Sequence, residues 1–591
     1  MKKFLTLPIA VLMLTACSDH NNTPQEQITN EGEVRSFLNI SILTPKSSTR
    51  VDGEDDYVNG SATENNINNI RFYFFYDGGD AAPVWKQAAS NNYLSYIDWT
   101  PTPGDIEDGP VEGQTVEKIV SATLGINMPA ENNGYPDLIL AIINPTPELL
   151  SIKENLTLGD LTSEVNDYYT GLYNNNFVIT NSVYSSGGAE PKLINATPID
   201  ENCFQPTIEE TEGNELIIYV ERVLARLDLS LNIEKGVKEI TGEGGSSYTI
   251  YQVGTETINN PGSTSEDTYY SQDIYVHFLG WNITQTPSAS NLIKNINVAW
   301  STNLFGSLEP WNSDNYHRSF WAINPSKDEF SYLYGSWDKP VSGDGGNYAT
   351  ALPMPAGTNA ESAYLQENAA PLEDSGSGPV MPTEVIMAAQ LVDVNGNPLT
   401  LIRWANRYYT ENGIKNTVAN ALELYSKSEN TYTKITPSQL QFVTARDIYG
   451  DNMPATEADY YVYVQLTEAA QGLTWYDGNT DTATAYTNYA AVNNYIIDRT
   501  NYMMVWDSGQ TYYYFEIQHL GAEDSPGYYG VVRNHLYKAN ITSIAGLGTP
   551  VYDPEQTIIP EKPDGDDSVL SVKINILQWR VVTNYYSIEW P

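Results

Sequence analysis

Five histidines, two cysteines and 74 carboxylates are the side chains here that could hold a metal, act as a nucleophile or relay a proton. A zinc hydrolase needs two histidines one helical turn apart. His20, His277, His317, His519 and His535 form no His-Glu-x-x-His pair. With only Cys17 and Cys203, no Cys-x-x-Cys redox pair can form. Gly-x-Ser-x-Gly, the elbow that presents a nucleophilic serine, is missing, and so is the Gly-Lys dipeptide of a phosphate loop. Paired carboxylates about 5–10 Å apart can cleave a glycosidic bond, and the abundance of acids neither excludes such a pair nor points to one. The run Asp393-Val394-Asn395-Gly396-Asn397 resembles half a calcium loop but lacks the distal glutamate, and it reads better as a tight turn. No metal, no cofactor and no enzymatic activity are expected. Trp281, Trp300, Trp311, Trp321 and Trp337 fall close together among many tyrosines. They could stack on sugars, or pack between sheets.

Two covalent events remain, at Cys17 and at Arg50. Lys2, Lys3 and the apolar run Phe4–Leu14 make a short export signal, too short to span a bilayer. It ends in Leu14-Thr15-Ala16-Cys17, which resembles a bacterial lipobox, so Cys17 is expected to be acylated (diacylglyceryl and palmitate) and to tether the precursor to the outer membrane. Cys203 is then without a disulfide partner and reads as a small buried apolar residue. Arg50 stands between a strand-like run, FLNISILTPKSST, and a cluster of acids, VDGEDDY.

The elements around these positions read as β-structure. The chain has 591 residues with 43 tyrosines, 42 glycines and 33 prolines, a composition suited to half-buried strands and many turns. Its net charge of −44 repels phosphate backbones and anionic lipid, so neither nucleic acid nor a membrane surface is an expected partner. Leu38, Ile40 and Ile42 alternate with Asn39 and Ser41, and Val462, Val464 and Leu466 alternate likewise. IRFYFFY (70–76) and LILAIIN (138–144) are apolar almost throughout, as central strands covered on both sides are. Leu216–Leu231 reads as one strand closing a first unit. Asn395-Gly396 predicts a hairpin, Asn416–Lys427 a helix, and the Gly/Pro/Ser-rich stretch 302–382 long loops.

The C-terminus mirrors the N-terminus. Leu570, Val572, Ile574 and Ile576 alternate with polar residues, and so do Tyr586, Ile588 and Trp590. The acidic, proline-rich PEQTIIPEKPDGDDS precedes them, a linker expected to detach the tail from the preceding domain.

On these features the chain resembles the fimbrilins, major subunits of short fimbriae among the type V pilins of Bacteroidales. The resemblance rests on the lipobox at Cys17, on SFLNISI followed by STR and VDGEDDY, and on VERVLARLDLSL. It rests also on LGWNITQ with WNSDNYHRSFWAIN and, most specifically, on GVVRNHLYKANITSIAGLGTPVYDPE leading to KINILQWRVV. It implies an all-β protein with two transthyretin-like β-sandwich domains. The expected division is a lipoprotein signal (1–17), a propeptide with a removable strand (18–50), two sandwiches (51–228 and 229–560), and a linker with a donor segment (561–591). It further implies that an arginine-specific surface protease cuts after Arg50, leaving Val51 as the new N-terminus, and so removes Leu38, Ile40 and Ile42. Cutting at Arg35 would leave that strand in place. The vacated groove would take the tail (Leu570, Val572, Ile574, Ile576, Tyr586, Ile588, Trp590) of an identical subunit, head to tail, giving a fimbrium at the cell surface with anchor and tip subunits as further partners. Two alternatives stand beside this shaft subunit: a tip or accessory subunit, and a monomeric glycan-binding surface lipoprotein.

Overall fold

The computed structural model describes residues 35–45, 48–49, 60–75, 96–108, 116–127, 135–151, 157–163, 165–166, 177–185, 193–242, 245–261, 268–287, 289–295, 317–318, 322, 331–333, 340–342, 354–355, 360–368, 382–454, 460–519, 529–553, 557–558, 570–577 and 580–581. Strands dominate them, and the protein is all-β in class.

Alternation in the first described segment produces β1, Arg35–Pro45, whose Leu38, Ile40 and Ile42 are fully buried while Asn39 and Ser41 are half-buried. The two-residue β2, Ser48–Thr49, comes directly after it. Next come β3 (Ile70–Phe75), β4 (Tyr96–Trp99), β5 (Ile106–Asp108), β6 (Val116–Asn127), β7 (Leu138–Ile143), β8 (Ile179–Asn181) and β9 (Leu216–Arg222). The hydrogen-bonded order is β4-β3-β7-β8-β9-β1-β6-β5. Strand β9 turns this ribbon into two layers. Its first half, Leu216–Tyr219, pairs with β1, and its second half, Val220–Arg222, pairs with β8. A single apolar core then joins Leu38, Ile40, Ile42, Val120, Ala122 and Leu124 from one layer to Phe72, Phe74, Ile139, Ala141 and Ile143 from the other, the arrangement of a sandwich. The apolar outer faces of β3 and β7 are covered as expected, by Leu149, Leu158, Leu161 and Leu292.

The segment read as one strand, Leu216–Leu231, is two. After Arg222 the chain passes through Val223-Leu224 and restarts in another sheet as β10, Ala225–Leu231. The inward face slips by one residue at the corner: Leu216, Ile218 and Val220 belong to the first core and Ala225, Leu227, Leu229 and Leu231 to the second, with Val223 and Leu224 both buried between them in sequence. Strands β11 (Ser247–Asn259), β12 (Tyr269–Thr284), β13 (Glu361–Leu365), β14 (Glu384–Val392), β15 (Leu401–Trp404) and β16 (Arg407–Tyr409) come next, then helix α1 (Glu411–Ala421). Strands β17 (Leu440–Thr444) and β18 (Tyr461–Leu466), helix α2 (Tyr489–Thr500), and strands β19 (Met503–Trp506), β20 (Gln510–Glu516) and β21 (Leu536–Ile544) complete this part. The tail contributes β22 (Leu570–Leu577) and β23 (Arg580–Val581). One sheet has the order β13-β10-β21-β22, and the other β17-β18-β19-β15-β16-β11-β12-β14-β20. Between them lies a second core, with Leu227, Leu229, Tyr537 and Ile541 against Val276, Trp281, Val385 and Met387.

Helix α1 starts five residues earlier than the pattern suggested, because Thr410 caps it by accepting a hydrogen bond from the Gly413 N–H. It ends at Ala421, and Tyr425–Ser428 is already strand. The turn at Asn395-Gly396 is present. Gly396 has φ 85°, and the Asp393 carboxylate accepts from the Asn395 and Asn397 N–H groups. The strands on either side of it do not pair with each other along their length: β14 lies between β12 and β20, and β15 between β16 and β19. The expected hairpin is present but short: beside the Val392–Pro398 bridge, the Asp393 N–H donates to the Asn397 carbonyl and the Leu399 N–H to the Leu391 carbonyl, after which the two strands part.

Candidate functional site

The site is the slot that β1 fills. Along one edge it pairs antiparallel with β6, from Arg35 opposite Asn127 to Pro45 opposite Val116. Along the other it runs parallel to β9, with Ile40 opposite Leu216 and Ile42 opposite Ile218. Phe37 and Leu38 also pair with Gln205 and Phe204. A strand with two neighbours and three fully buried side chains is a central strand. Removing it would uncover about 1.5–3 kcal/mol of apolar burial per side chain, roughly 5–9 kcal/mol in all, together with two rows of unpaired backbone groups.

The second sandwich has a counterpart of this pairing. There too the first strand runs parallel to a strand late in the chain: β10 pairs with β21 from Arg226 opposite Leu536 to Leu231 opposite Ile541, as β1 pairs with β9. Strand β10 is held in mid-chain by covalent bonds on both sides. Strand β1 joins the sandwich it completes only through the segment that carries Arg50.

Leu38, Ile40 and Ile42 thus lie together in the first core. Leu570, Val572, Ile574 and Ile576 lie in β22, which pairs antiparallel with β21 of the same chain, from Leu536 opposite Leu577 to Ile544 opposite Leu570, with a slip between Ile541 and Ser543. The proline-rich linker was expected to leave this tail detached; here it returns to the sheet as an edge strand. Beyond it, β23 runs parallel to β2, with Ser48 opposite Arg580 and Thr49 opposite Val581, so the tail meets the residues just before Arg50. Cys17, Arg50, Val51, Tyr586, Ile588 and Trp590 lie outside the described residues, as do Trp300, Trp311, Trp321 and Trp337. Trp281 is fully buried in the second core, so it offers no platform for a sugar. Cys203 is half-buried against the first core, and burial pushes its thiol pKa up, which suppresses the reactive thiolate.

A buried ionic cluster at the β9–β10 corner gave no sequence signal. The Glu64 side chain, wholly buried, lies 3.2 Å from the Arg226 guanidinium, and Arg226 also pairs with Asp228 at 2.7 Å. Tyr364 on β13 donates to Glu64 at 3.0 Å. Burial alone would raise the Glu64 pKa, but Arg226, Arg222 and the Ser61 N–H hold it below the usual carboxylate range. Arg222 donates to the Glu64 backbone carbonyl and to Asn534 Oδ1, just before β21. Two further pairs are fully buried: Lys294 with Glu221 at 2.9 Å, and Arg533 with Glu367. Arg533 also donates to the carbonyls of Leu292 and Asn291. Partners from β9, β10, β13 and the approach to β21 therefore meet where the two sandwiches join. Breaking one such pair is costly, because it strands a charge out of water.

Residues 504–585 match the family model described as major fimbrial subunit protein type IV, Fimbrillin, C-terminal. The match spans the last strands of the second sandwich and the tail. A search of curated proteins finds no match. Among solved structures the chain is similar to a fimbrilin, FimA, of Porphyromonas gingivalis W83, at 13% identity, covering 91% of this chain and 96% of that one with a TM-score of 0.34. It is similar to the tip fimbrial protein Mfa3 of Porphyromonas gingivalis with C-terminal truncation, at 10% identity, 91% and 99% coverage and a TM-score of 0.28. It is also similar to a fimbrial assembly protein of Parabacteroides distasonis ATCC 8503, at 9% identity, 61% and 89% coverage and a TM-score of 0.26. Residues 504–585 thus match the C-terminal region of the Fimbrillin family, and the chain resembles the fimbrilins of Bacteroidales.

Proposed function

We propose that this chain is the polymerising subunit of a cell-surface fimbrium. It is exported as a lipoprotein acylated on Cys17, cut after Arg50 by an arginine-specific surface protease, and assembled when the tail of one copy fills the slot vacated by β1 in the next. The observation that carries this is β1 itself, a central strand with three fully buried side chains that precedes Arg50 in the chain. Tail and plug share the same period-two alternation, and β22 sits at a sheet edge, where one neighbouring strand must release it rather than two. Adding a strand restores the backbone ladder. Because the contact is head-to-tail it need not close, and it propagates as a fibre. Until cutting, β1 occupies the slot and prevents polymerisation during export.

Limited trypsin digestion of the soluble precursor, from Ser18 onward, tests this by N-terminal mass mapping and an unheated denaturing gel. The expected result is cleavage at Arg50 followed by a ladder of multimers, lost when residues 569–591 are deleted. Cleavage at Arg50 with the intact tail and no multimers would rule out the shaft role.

A further inference from the structure

The two-residue turn between β15 and β16 and the C-terminal end of α2 enclose a surface cavity of about 350 Å³ that no step of strand exchange uses. Its charge is opposite to that of the molecule. In a chain of net charge −44, the lining contains two arginines, Arg403 and Arg499, and no acid. Glu256 on β11 is an acid that acts on Arg403, but it is not part of the wall. The other principal contributors are Trp404, Tyr502, Asn406 and Asn501.

These groups are held in place. The turn residues Ala405 and Asn406 have φ 47° and 58°, and Asn501 has φ 51°, so three of the eight non-glycine positive-φ residues among the described ones border this single cavity. Positive φ at both central residues is what a two-residue turn between the paired Trp404 and Arg407 requires, so the turn has a fixed shape. The Trp404 indole N–H donates to the Thr500 carbonyl, tying the turn to the helix end. The Arg499 guanidinium lies 4.7 Å over the Tyr495 ring, and Arg403 donates to Asn406 at 3.3 Å. Tyr502 is 42% exposed and stacks on Tyr461 with ring centroids 3.6 Å apart and an interplanar angle of 8°.

We propose that this pocket binds an acidic saccharide, with Arg403 and Arg499 taking its carboxylate or sulfate and Trp404 and Tyr502 its apolar ring face. Guanidinium forks match planar oxyanions in two-point contact. Aromatic side chains offer an apolar face with a polar edge, and the volume is at the lower end of small-ligand sites, suited to one or two sugar rings. The strongly acidic surface disfavours an extended polyanion such as a nucleic acid, whereas one charged group can enter a locally cationic pocket. The lining comes from β15, β19, α2 and their loops, and none of it from β1, β6, β9, β21 or β22, so the site does not depend on the assembly proposed above.

Titration of the full precursor with 3′-sialyllactose, galactose 6-sulfate, lactose and an acidic tetrapeptide, followed by calorimetry and saturation-transfer NMR, tests this directly. At least one acidic sugar should bind and lactose should bind at least about tenfold more weakly. Arg499→Gln, at an exposed position, and Arg403→Gln/Arg499→Gln should each weaken the acidic sugar, the double variant by about tenfold or more, with thermal unfolding unchanged for Arg499→Gln. No binding of either acidic sugar, equal binding of lactose, binding only of the peptide, or indifference to Arg499→Gln would overturn the proposal.

Discussion

Truncating Ile40 separates the plug from the protein it completes. Its backbone pairs with Ala122 on β6 and Leu216 on β9, and its side chain is fully buried in the first core. Ile40→Ala should remove its share of the core and leave a cavity, a loss of about 2–5 kcal/mol for a buried aliphatic residue. For a sandwich of about 150–250 residues each kcal/mol moves the midpoint by roughly 2–4 °C, so the precursor should melt about 4–20 °C lower. If cutting at Arg50 discards the altered strand, as proposed, fibres grown from the variant should melt with wild-type fibres. Calorimetry on both forms gives both numbers from one preparation. Equal destabilisation of precursor and fibre would mean that β1 stays in the mature subunit. An unchanged precursor would mean that β1 does not hold the first core together.

Other side chains give independent checks. Glu384, at the start of β14, is buried, and burial together with nearby Glu516 pushes its pKa well above 4.5. A raised carboxyl favours the fold in its neutral form, so its contribution is present below the ordinary value and is lost as pH rises through the folded value. In pH-dependent urea unfolding, Glu384→Gln should therefore gain on the wild type as pH rises from about 5 to 8, and parallel pH profiles would contradict this. Glu367→Ala leaves the fully buried Arg533 without its carboxylate and should cost about 3–5 kcal/mol in urea unfolding. A loss within about 0.5 kcal/mol, as at an ordinary surface site, would contradict the burial of that pair.

The sequence made the plug legible because one buried face of a strand has a period of two, and Leu38, Ile40 and Ile42 keep it without a break. Strands β3 and β7 were legible by the opposite sign, a nearly unbroken apolar run, because both of their faces are covered. At Leu216–Leu231 the sign of the corner is a one-residue slip in the alternation, from Leu216, Ile218 and Val220 to Ala225, Leu227, Leu229 and Leu231 across the adjacent pair Val223-Leu224, and reading the run as one strand passes over it. The return of the tail to β21 was hidden because a linker's composition describes the linker and not where the strand beyond it docks. The ionic cluster was unreadable because its partners lie far apart in the chain: Arg222 and Asn534 are separated by 312 residues and Arg226 and Glu64 by 162. Trp281 shows the converse limit. Composition marks an aromatic-rich stretch, but whether a ring faces a ligand or the core depends on the second sheet.

Hydrogen exchange along β6 and β9 tests strand replacement most directly. Amides of Val116–Asn127 and Leu216–Tyr219 should be protected in the precursor, where β1 pairs with both strands. They should exchange quickly after cutting at Arg50 in a variant lacking residues 569–591, and regain protection when the cut full-length chain forms fibres. Protection that persists in the cut, tail-less chain would show that the slot closes without a new strand, contradicting donor-strand assembly.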